Sequence, residues 1–292
     1  MLTRCMARTV SIIGAGRVGA SLARLLRARG WRIGAVVTRS LATARAAVRA
    51  IGAGTPSTKL APEASDSQVI LVAVPDTQIA RVAASLARIA GKACRGEVVL
   101  HTSGALDRSV LAPLARLGAF TGSLHPMQTF SGRGAPNLKG VVFAVEGDAR
   151  ALRTAAQIAR QLGGIPVKID GSGKAAYHAA GALAAGHALA LIESAVRILI
   201  AQGFSRRRAL AMLLPLTRQM LENFERLGPR AAWTGPIVRG DFAVVTRHAK
   251  ALKRFPREFA AAYAALAHLG ARVLAKNPGA TISRLKRALK NS

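Results

Sequence analysis

Cysteine is almost absent from this chain of 292 residues, which has only Cys5 and Cys94. Two cysteines so far apart in sequence provide neither a disulfide framework nor a cysteine-rich metal site. The six histidines are not spaced as metal ligands either, so we predict no metal site. Aromatic residues make up only 4% of the chain, and aliphatic side chains must therefore build its interior. The length suits two domains with separate cores.

Acidic residues are scarce as well, because 13 Asp and Glu stand against 43 Lys and Arg, which gives a net charge of +30. A basic excess of this size can indicate nucleic-acid binding. Here the arginines are spread along the whole chain and are not interleaved with aromatic residues. This distribution argues against a nucleic-acid partner.

No secretory signal is found, since the first apolar run, residues 10–15, is short and leads directly into glycines. We therefore expect a cytoplasmic protein. The apolar stretch 179–201 is long enough to span a membrane. It contains His187, Glu193 and Arg197 and is rich in alanine and glycine. We interpret it as a buried helix and expect no membrane association.

The first 170 residues alternate β-branched runs with helical stretches, which is the pattern of a parallel sheet covered on both faces. Predicted strands cover residues 9–13, 32–38, 68–74, 97–102, 119–124, 141–145 and 166–169, and a vestigial strand lies near 52–56. Predicted helices cover residues 17–29, 41–51, 77–89, 108–117 and 149–162. The sequence thus predicts an α/β fold, with a doubly wound Rossmann domain over residues 1–170 and an all-α domain over residues 171–292.

A glycine motif, Gly14-Ala15-Gly16-Arg17-Val18-Gly19, follows the first strand and opens the first helix. Gly14 permits a tight turn, Gly16 lets the backbone approach a diphosphate, and Gly19 lets the helix pack close to the strand. The N–H groups and the positive dipole end of the helix attract phosphate. The motif predicts a dinucleotide site that includes Arg17 and Val18.

The segment after the second strand lies where a ribose-binding group is expected, and it contains no carboxylate. Its residues Thr38, Arg39 and Ser40 offer a guanidinium beside two hydroxyl groups, which suits a 2′-phosphate and favours NADP over NAD. Alternatively, Arg39 stacks on adenine or faces solvent. Further cofactor contacts are expected at the ends of later strands, from Val74, Pro75 and Ser103.

Five segments carry a shared pattern: 72–76 (Val-Ala-Val-Pro-Asp), 101–106 (His-Thr-Ser-Gly-Ala-Leu), 124–130 (Leu-His-Pro-Met-Gln-Thr-Phe), 177–180 (Tyr-His-Ala-Ala) and 235–241 (Gly-Pro-Ile-Val-Arg-Gly-Asp). Together they resemble a family of bacterial proteins in which a Rossmann-like dehydrogenase domain precedes a helical domain of unknown function. The resemblance implies a 6-phosphogluconate-dehydrogenase-like fold and a homodimer, but no particular substrate. The chain departs from the family pattern at Ala185 and Gly186, where a Ser-Asn pair is common.

Lys174, Tyr177 and His178 stand at helical positions i, i+3 and i+4 at the domain junction, so one helix face can present all three. The segment is similar to β-hydroxyacid dehydrogenases, but Tyr177 occupies the position of their catalytic lysine and Gly181 that of an asparagine. This difference argues against hydroxyacid dehydrogenation, whereas imine reductases of the same superfamily tolerate tyrosine there. The resemblance implies Tyr177 as the proton donor, supported by His178 or Lys174, and we expect the Lys174 cation to lower the pKa of Tyr177.

His125 is a second candidate, because His-Pro-Met after a strand also resembles prephenate dehydrogenases. The alternative is a structural histidine in a strand-end turn. The sequence as a whole predicts an NADP-dependent oxidoreductase that acts on a small carbonyl, imine or hydroxyl compound. A non-catalytic NADP-binding sensor and a prephenate-dehydrogenase-like enzyme remain open as alternatives.

Overall fold

The computed structural model describes residues 8–60, 67–131 and 135–290, so Cys5 lies outside the described residues. The chain forms two compact units, Met1–Ala185 and Gly186–Ser292. The last strand ends at Lys168, close to the predicted end of the sheet domain. The unit boundary falls later than residue 170, because the first helix after the sheet contacts the strand ends.

The first unit is built on an eight-stranded sheet with the order β3-β2-β1-β4-β5-β6-β7-β8. Neighbouring strands are parallel except for β6 and β7, which are antiparallel. The strands are β1 Thr9–Ile13, β2 Arg32–Val37, β3 Thr55–Ser57, β4 Val69–Val72, β5 Val98–His101, β6 Phe120–Pro126, β7 Val142–Gly147 and β8 Ile165–Lys168. The predicted α/β Rossmann fold is confirmed, and the vestigial strand corresponds to β3.

The helices of this unit are α1 Arg17–Ala28, α2 Leu41–Ile51, α3 Asp76–Ala90, α4 Ala112–Ala115, α5 Ala149–Gln161 and α6 Lys174–Ala182. They agree with the predicted helices except at 108–117, where a 3-10 turn, Arg108–Leu111, precedes the short α4. Asp148 begins α5, because its carboxylate accepts the backbone N–H groups of Arg150 and Ala151.

Each face of the sheet has its own apolar core, because consecutive side chains of a strand point to opposite faces. In β4, Val69 and Leu71 belong to the cluster with α1, α2 and α5, whereas Ile70 and Val72 belong to the cluster with α3 and α4. Burial on both sides explains why β4 is entirely apolar. The covered faces leave the carboxyl ends of the parallel strands as the place for a ligand.

The second unit is helical, as predicted. Its helices are α7 Ala188–Ala201, α8 Arg206–Leu227, α9 Pro229–Ala232, α10 Pro236–Arg239, α11 Phe242–Leu252, α12 Arg257–Leu274 and α13 Pro278–Lys290. A small core of Val245, Ala267, Ala271 and Leu285 joins α11, α12 and α13.

The prediction that residues 179–201 form a buried helix is wrong for the described chain. Helix α6, a π-helical segment Leu183–His187 and α7 are continuous, and Val196 is the buried residue of α7. The apolar window within Gly171–Ala201 has a mean hydropathy of 1.6, yet only 6% of it is buried. Length and composition alone would let this helix cross a membrane. An apolar composition indicates that a helix packs against other apolar groups, but it does not show whether these belong to the same chain.

Candidate functional site

The glycine loop between β1 and α1 has the shape that a dinucleotide site requires. Gly14 has φ +92°, and a Cβ there would lie 2.7 Å from the carbonyl oxygen of Ala73. A Cβ at Gly19 would overlap the carbonyl oxygen of Gly14, whereas one at Gly16 would meet only open space. Gly16 also caps α1 without a side-chain hydrogen bond. Two glycines therefore pack the loop, and the third leaves room for a diphosphate at the helix N-terminus.

A cavity of about 580 Å³ opens from this loop along the carboxyl ends of the strands. This volume lies in the usual range for cofactor and substrate pockets. Its wall is formed by Gly16, Arg17, Val18, Ala73, Val74, Pro75, Asp76, Thr102, Ser103, Gly104, His125, Pro126, Gln128, Phe130 and His178. Three residues of the loop, 16–18, and the predicted contacts Val74, Pro75 and Ser103 thus face one space.

The segment expected to bind the 2′-phosphate lies outside the wall of this cavity, just after β2. The Thr38 hydroxyl donates to the carbonyl oxygen of Ser40 at 2.8 Å, and Ser40 Oγ accepts the backbone N–H of Thr43 at 3.2 Å. Both hydroxyl groups therefore shape the start of α2, while Arg39 is exposed. Arg39 and Ser40 are both exposed, and Arg39 is the one of the three that carries a positive charge.

Lys174 begins α6 and is fully buried, with 0% of its surface exposed. Its Nζ donates to the carbonyl oxygen of Ser103 at 3.0 Å and to Ser123 Oγ at 2.7 Å. Burial lowers the pKa of Lys174 from 10.5 to about 8, although nearby carboxylates, first that of Glu146, oppose the shift. The lysine joins the start of α6 to β6 and to the loop after β5.

The loop after β5 is held by Ser103 and His101. Ser103 Oγ donates to Asp76 Oδ2 at 2.8 Å and accepts the backbone N–H groups of residues 105 and 106. His101 Nδ1 accepts the Ser103 N–H at 3.2 Å, so its Nε2 donates to the carbonyl oxygen of Asp107 at 3.1 Å. Burial lowers the pKa of His101 to about 4 and keeps the ring neutral. His101 therefore fixes the loop that forms one side of the cavity.

His125 and the first turns of α6 meet beside this loop. His125 Nδ1 and the Tyr177 hydroxyl are 3.0 Å apart and form a hydrogen bond. The His178 ring lies edge-on to His125, with 5.7 Å between the ring centroids. Burial, together with the charges of His178 and Lys174, lowers the pKa of His125 to about 4. His125 is thus a neutral imidazole at physiological pH.

Gly104 makes this arrangement possible. A Cβ at Gly104 would lie 2.6 Å from His178 Cδ2 and 2.7 Å from His125 Nε2. Both imidazoles therefore approach the cavity over a position that only glycine can occupy without displacing them. This role could not be predicted from the sequence, because the glycine follows a strand far from both histidines in the chain.

The four predicted catalytic residues are close together, but their surroundings differ. His125 and His178 line the cavity, Tyr177 contacts His125, and Lys174 is buried against Ser103. The expectation that Lys174 lowers the pKa of Tyr177 is wrong, because burial raises the pKa of Tyr177 and the lysine points to other partners. His101, Ser123 and Glu146 also belong to the site, but their positions within strands look like ordinary core in the sequence.

Two family models match the chain. A Rossmann-like domain matches residues 3–126, and a domain of unknown function, DUF2520, matches residues 141–269. The chain joins a Rossmann-like domain to a DUF2520 domain. This is the pair of domains that the sequence resemblance implied, and the predicted family is confirmed.

Solved structures share the fold of this Rossmann-DUF2520 chain. A candidate NADP oxidoreductase from Bacteroides fragilis is 22% identical, covers 89% of this chain and 96% of its own, and has a TM-score of 0.73. A protein from Thermotoga maritima is 23% identical, with coverages of 96% and 98% and a TM-score of 0.66. A reductive aminase from Aspergillus terreus, in complex with NADPH and ethyl-5-oxohexanoate, is 17% identical, with coverages of 98% and 95% and a TM-score of 0.63. No curated protein sequence matches the chain.

Proposed function

We propose that this protein is an NADP-dependent oxidoreductase that acts on a small carbonyl, imine or hydroxyl compound. The observation that carries the proposal is the single cavity that reaches from the glycine loop at Gly16 to the imidazoles of His125 and His178. A dinucleotide held at the loop and a proton-transfer group at the other end are the two parts that such a reaction needs.

The residues of the glycine loop fit NADP. Gly16 faces open space at the N-terminus of α1, and Arg17 and Val18 line the same cavity. The exposed Arg39 suits a 2′-phosphate because a guanidinium can bind it through two hydrogen bonds. When bound, the nicotinamide would supply or accept the hydride. The reductive aminase with the same fold binds NADPH, which supports the choice of cofactor.

The side chains of this protein would contribute the proton that the reduced substrate takes up. Reduction of a carbonyl or imine leaves a negative charge on oxygen or nitrogen that a nearby acid must neutralise. Tyr177 and His125 supply this proton as a hydrogen-bonded pair. The His178 ring packs edge-on against His125, and Lys174 holds the start of α6 so that Tyr177 reaches its partner.

Turnover by the Tyr177→Phe variant tests the proposal. NADPH oxidation would be followed by absorbance with a panel of imines, ketones and keto acids, and with NADP and hydroxy acids in the other direction. We expect turnover in the native protein and a loss of about 100-fold in the variant, the usual scale for an acid catalyst, at nearly unchanged NADPH affinity. A protein that binds NADPH but turns over none of these compounds would be a sensor, and the proposal would be wrong.

A second copy of this chain is the partner that we propose for the long helix. The exposed side chains Leu189 and Ile200 are eleven residues apart, about three helical turns, and therefore share one face of α7, with 66% and 41% of their surfaces accessible. An isologous contact across a two-fold axis would bury the same face of both copies. We propose a homodimer in the cytoplasm, because a contact between two copies would cover apolar helix surface that otherwise faces water.

A further inference from the structure

His125 lies between Tyr177 and the cavity. This position determines how a proton from Tyr177 can reach a bound substrate. The cavity wall includes His125 and His178 but not Tyr177. The Nδ1 atom of His125 faces the Tyr177 hydroxyl at 3.0 Å, while its Nε2 lies beside Gly104, which is also part of the wall. The two nitrogens of one ring thus face the phenol on one side and the ligand space on the other.

We propose that Tyr177 gives its proton to the substrate through His125, which is the residue that touches the substrate. This inference rests on the proposed function and assigns the order of the two residues within it. Tyr177 is then a positioning residue and a proton source, and His125 Nε2–H is the group that hydrogen-bonds the reacting oxygen or nitrogen.

The relay balances in protons and moves no electrons. The Nε2–H bond breaks as the proton passes to the substrate atom, and Nδ1 accepts the phenol proton as the Tyr177 O–H bond breaks. Nε2 then takes a new proton from solvent in the cavity, and Nδ1 returns its proton to the phenolate. One solvent proton is consumed for each substrate that is reduced.

The neutral state of the imidazole suits this role. Burial and the neighbouring His178 and Lys174 lower the pKa of His125 to about 4, so the ring carries one proton at neutral pH. A phenol is a good donor to an unprotonated ring nitrogen, and this hydrogen bond selects the tautomer with the proton on Nε2. A neutral imidazole that polarises a carbonyl through Nε2–H is a known catalytic device.

The chain contains a second pair with nearly the same geometry. His248 Nδ1 and the Tyr263 hydroxyl are also 3.0 Å apart, and the rings meet at 83°, compared with 87° for His125 and Tyr177. His248 and Tyr263 are not part of the cavity wall. This pair is therefore a matched control for any effect of a histidine-tyrosine hydrogen bond as such.

Nitrogen-15 NMR of the imidazole rings tests the tautomer without any substrate, with His125→Gln used to assign the signal. We expect Nε2 of His125 to be protonated and Nδ1 unprotonated at pH 7, and Tyr177→Phe to produce a mixture of tautomers. A proton on Nδ1 in the native protein would overturn the relay, because Tyr177 would then not donate to the ring.

Turnover distinguishes the relay from direct donation by Tyr177. In a relay, His125→Gln lowers turnover by about 100-fold or more, and Tyr177→Phe lowers it by no more than that. The double variant then turns over as slowly as His125→Gln alone. His248→Gln should change nothing. If Tyr177→Phe were far more damaging than His125→Gln, or if the two losses multiplied, the proposed order would be wrong. A complete absence of turnover in the native protein would instead overturn the proposed function, while the NMR result would still decide the hydrogen-bond direction.

Discussion

Replacing Lys174 by methionine should change how the stability of the sheet unit depends on pH. Methionine keeps an unbranched apolar chain of similar length but cannot donate the two hydrogen bonds to Ser103 and Ser123. Near pH 7 two effects oppose each other. The variant is freed from burying a cation, but it leaves the carbonyl oxygen of Ser103 without this donor, at a cost of about 1 to 3 kcal/mol.

The pH dependence has a definite sign. The pKa of Lys174 is about 8 in the folded protein and 10.5 when exposed. A folded-state pKa below the unfolded one means that stability is fully present above the unfolded pKa and is lost as the pH falls towards the folded pKa. Between pH 7 and pH 9.5, these two values predict that the native protein gains about 2 kcal/mol relative to Lys174→Met.

The two tryptophans allow the sheet unit to be followed by itself. Trp31 lies in the sheet unit, where it is 5% exposed, and Trp233 lies in the helical unit. In a Trp233→Phe background, urea unfolding followed by Trp31 fluorescence would give the free energy of unfolding at each pH. Lys92→Met, at an exposed lysine, serves as the control and should show no such slope. A difference between native protein and Lys174→Met that does not change with pH would refute the reasoning.

Four further outcomes are expected. Burial holds the pKa of His101 near 4, so the free energy of unfolding of the native protein should decrease by up to about 3 kcal/mol as the pH falls from 6.5 towards 4. In urea unfolding, His101→Asn should remove this dependence on pH. Gly104→Ala should reduce turnover at least about 10-fold by displacing both imidazoles. Gly173→Ala is the control, because its added Cβ meets nothing within 4 Å, and equal turnover in the two variants would contradict the contact geometry. In calorimetry, Arg39→Ala should weaken NADPH binding by about 10-fold or more and leave NADH binding unchanged, since a charged hydrogen bond to phosphate contributes about 1.5 to 3 kcal/mol. An equal loss of affinity for both cofactors would show that Arg39 does not bind the 2′-phosphate. Sedimentation at low micromolar concentration should show a dimer that Leu189→Glu dissociates, and a native monomer would count against the proposed contact.

The sequence by itself determined the sheet unit almost completely. Period-two and buried apolar runs such as Val69–Val72 and the glycine motif depend on neighbours that are close in the chain, so local pattern was sufficient to place β1, α1 and most later elements. The cavity at the carboxyl ends of the strands followed from the same topology. The 3-10 turn before α4 was missed because a short helix of either type has the same local pattern.

Only the tertiary structure decided how the chemical groups are paired. Lys174 was expected to act on Tyr177, which is on the same helix face, but its amine reaches across to Ser103 after β5 and Ser123 within β6, because their oxygen atoms can satisfy a buried donor. The contact between His125 and Tyr177 joins residues 52 positions apart in the chain, and no periodicity encodes it. The exposure of the long helix is likewise a tertiary property, since apolar composition specifies a need for burial but not whether the same chain provides it.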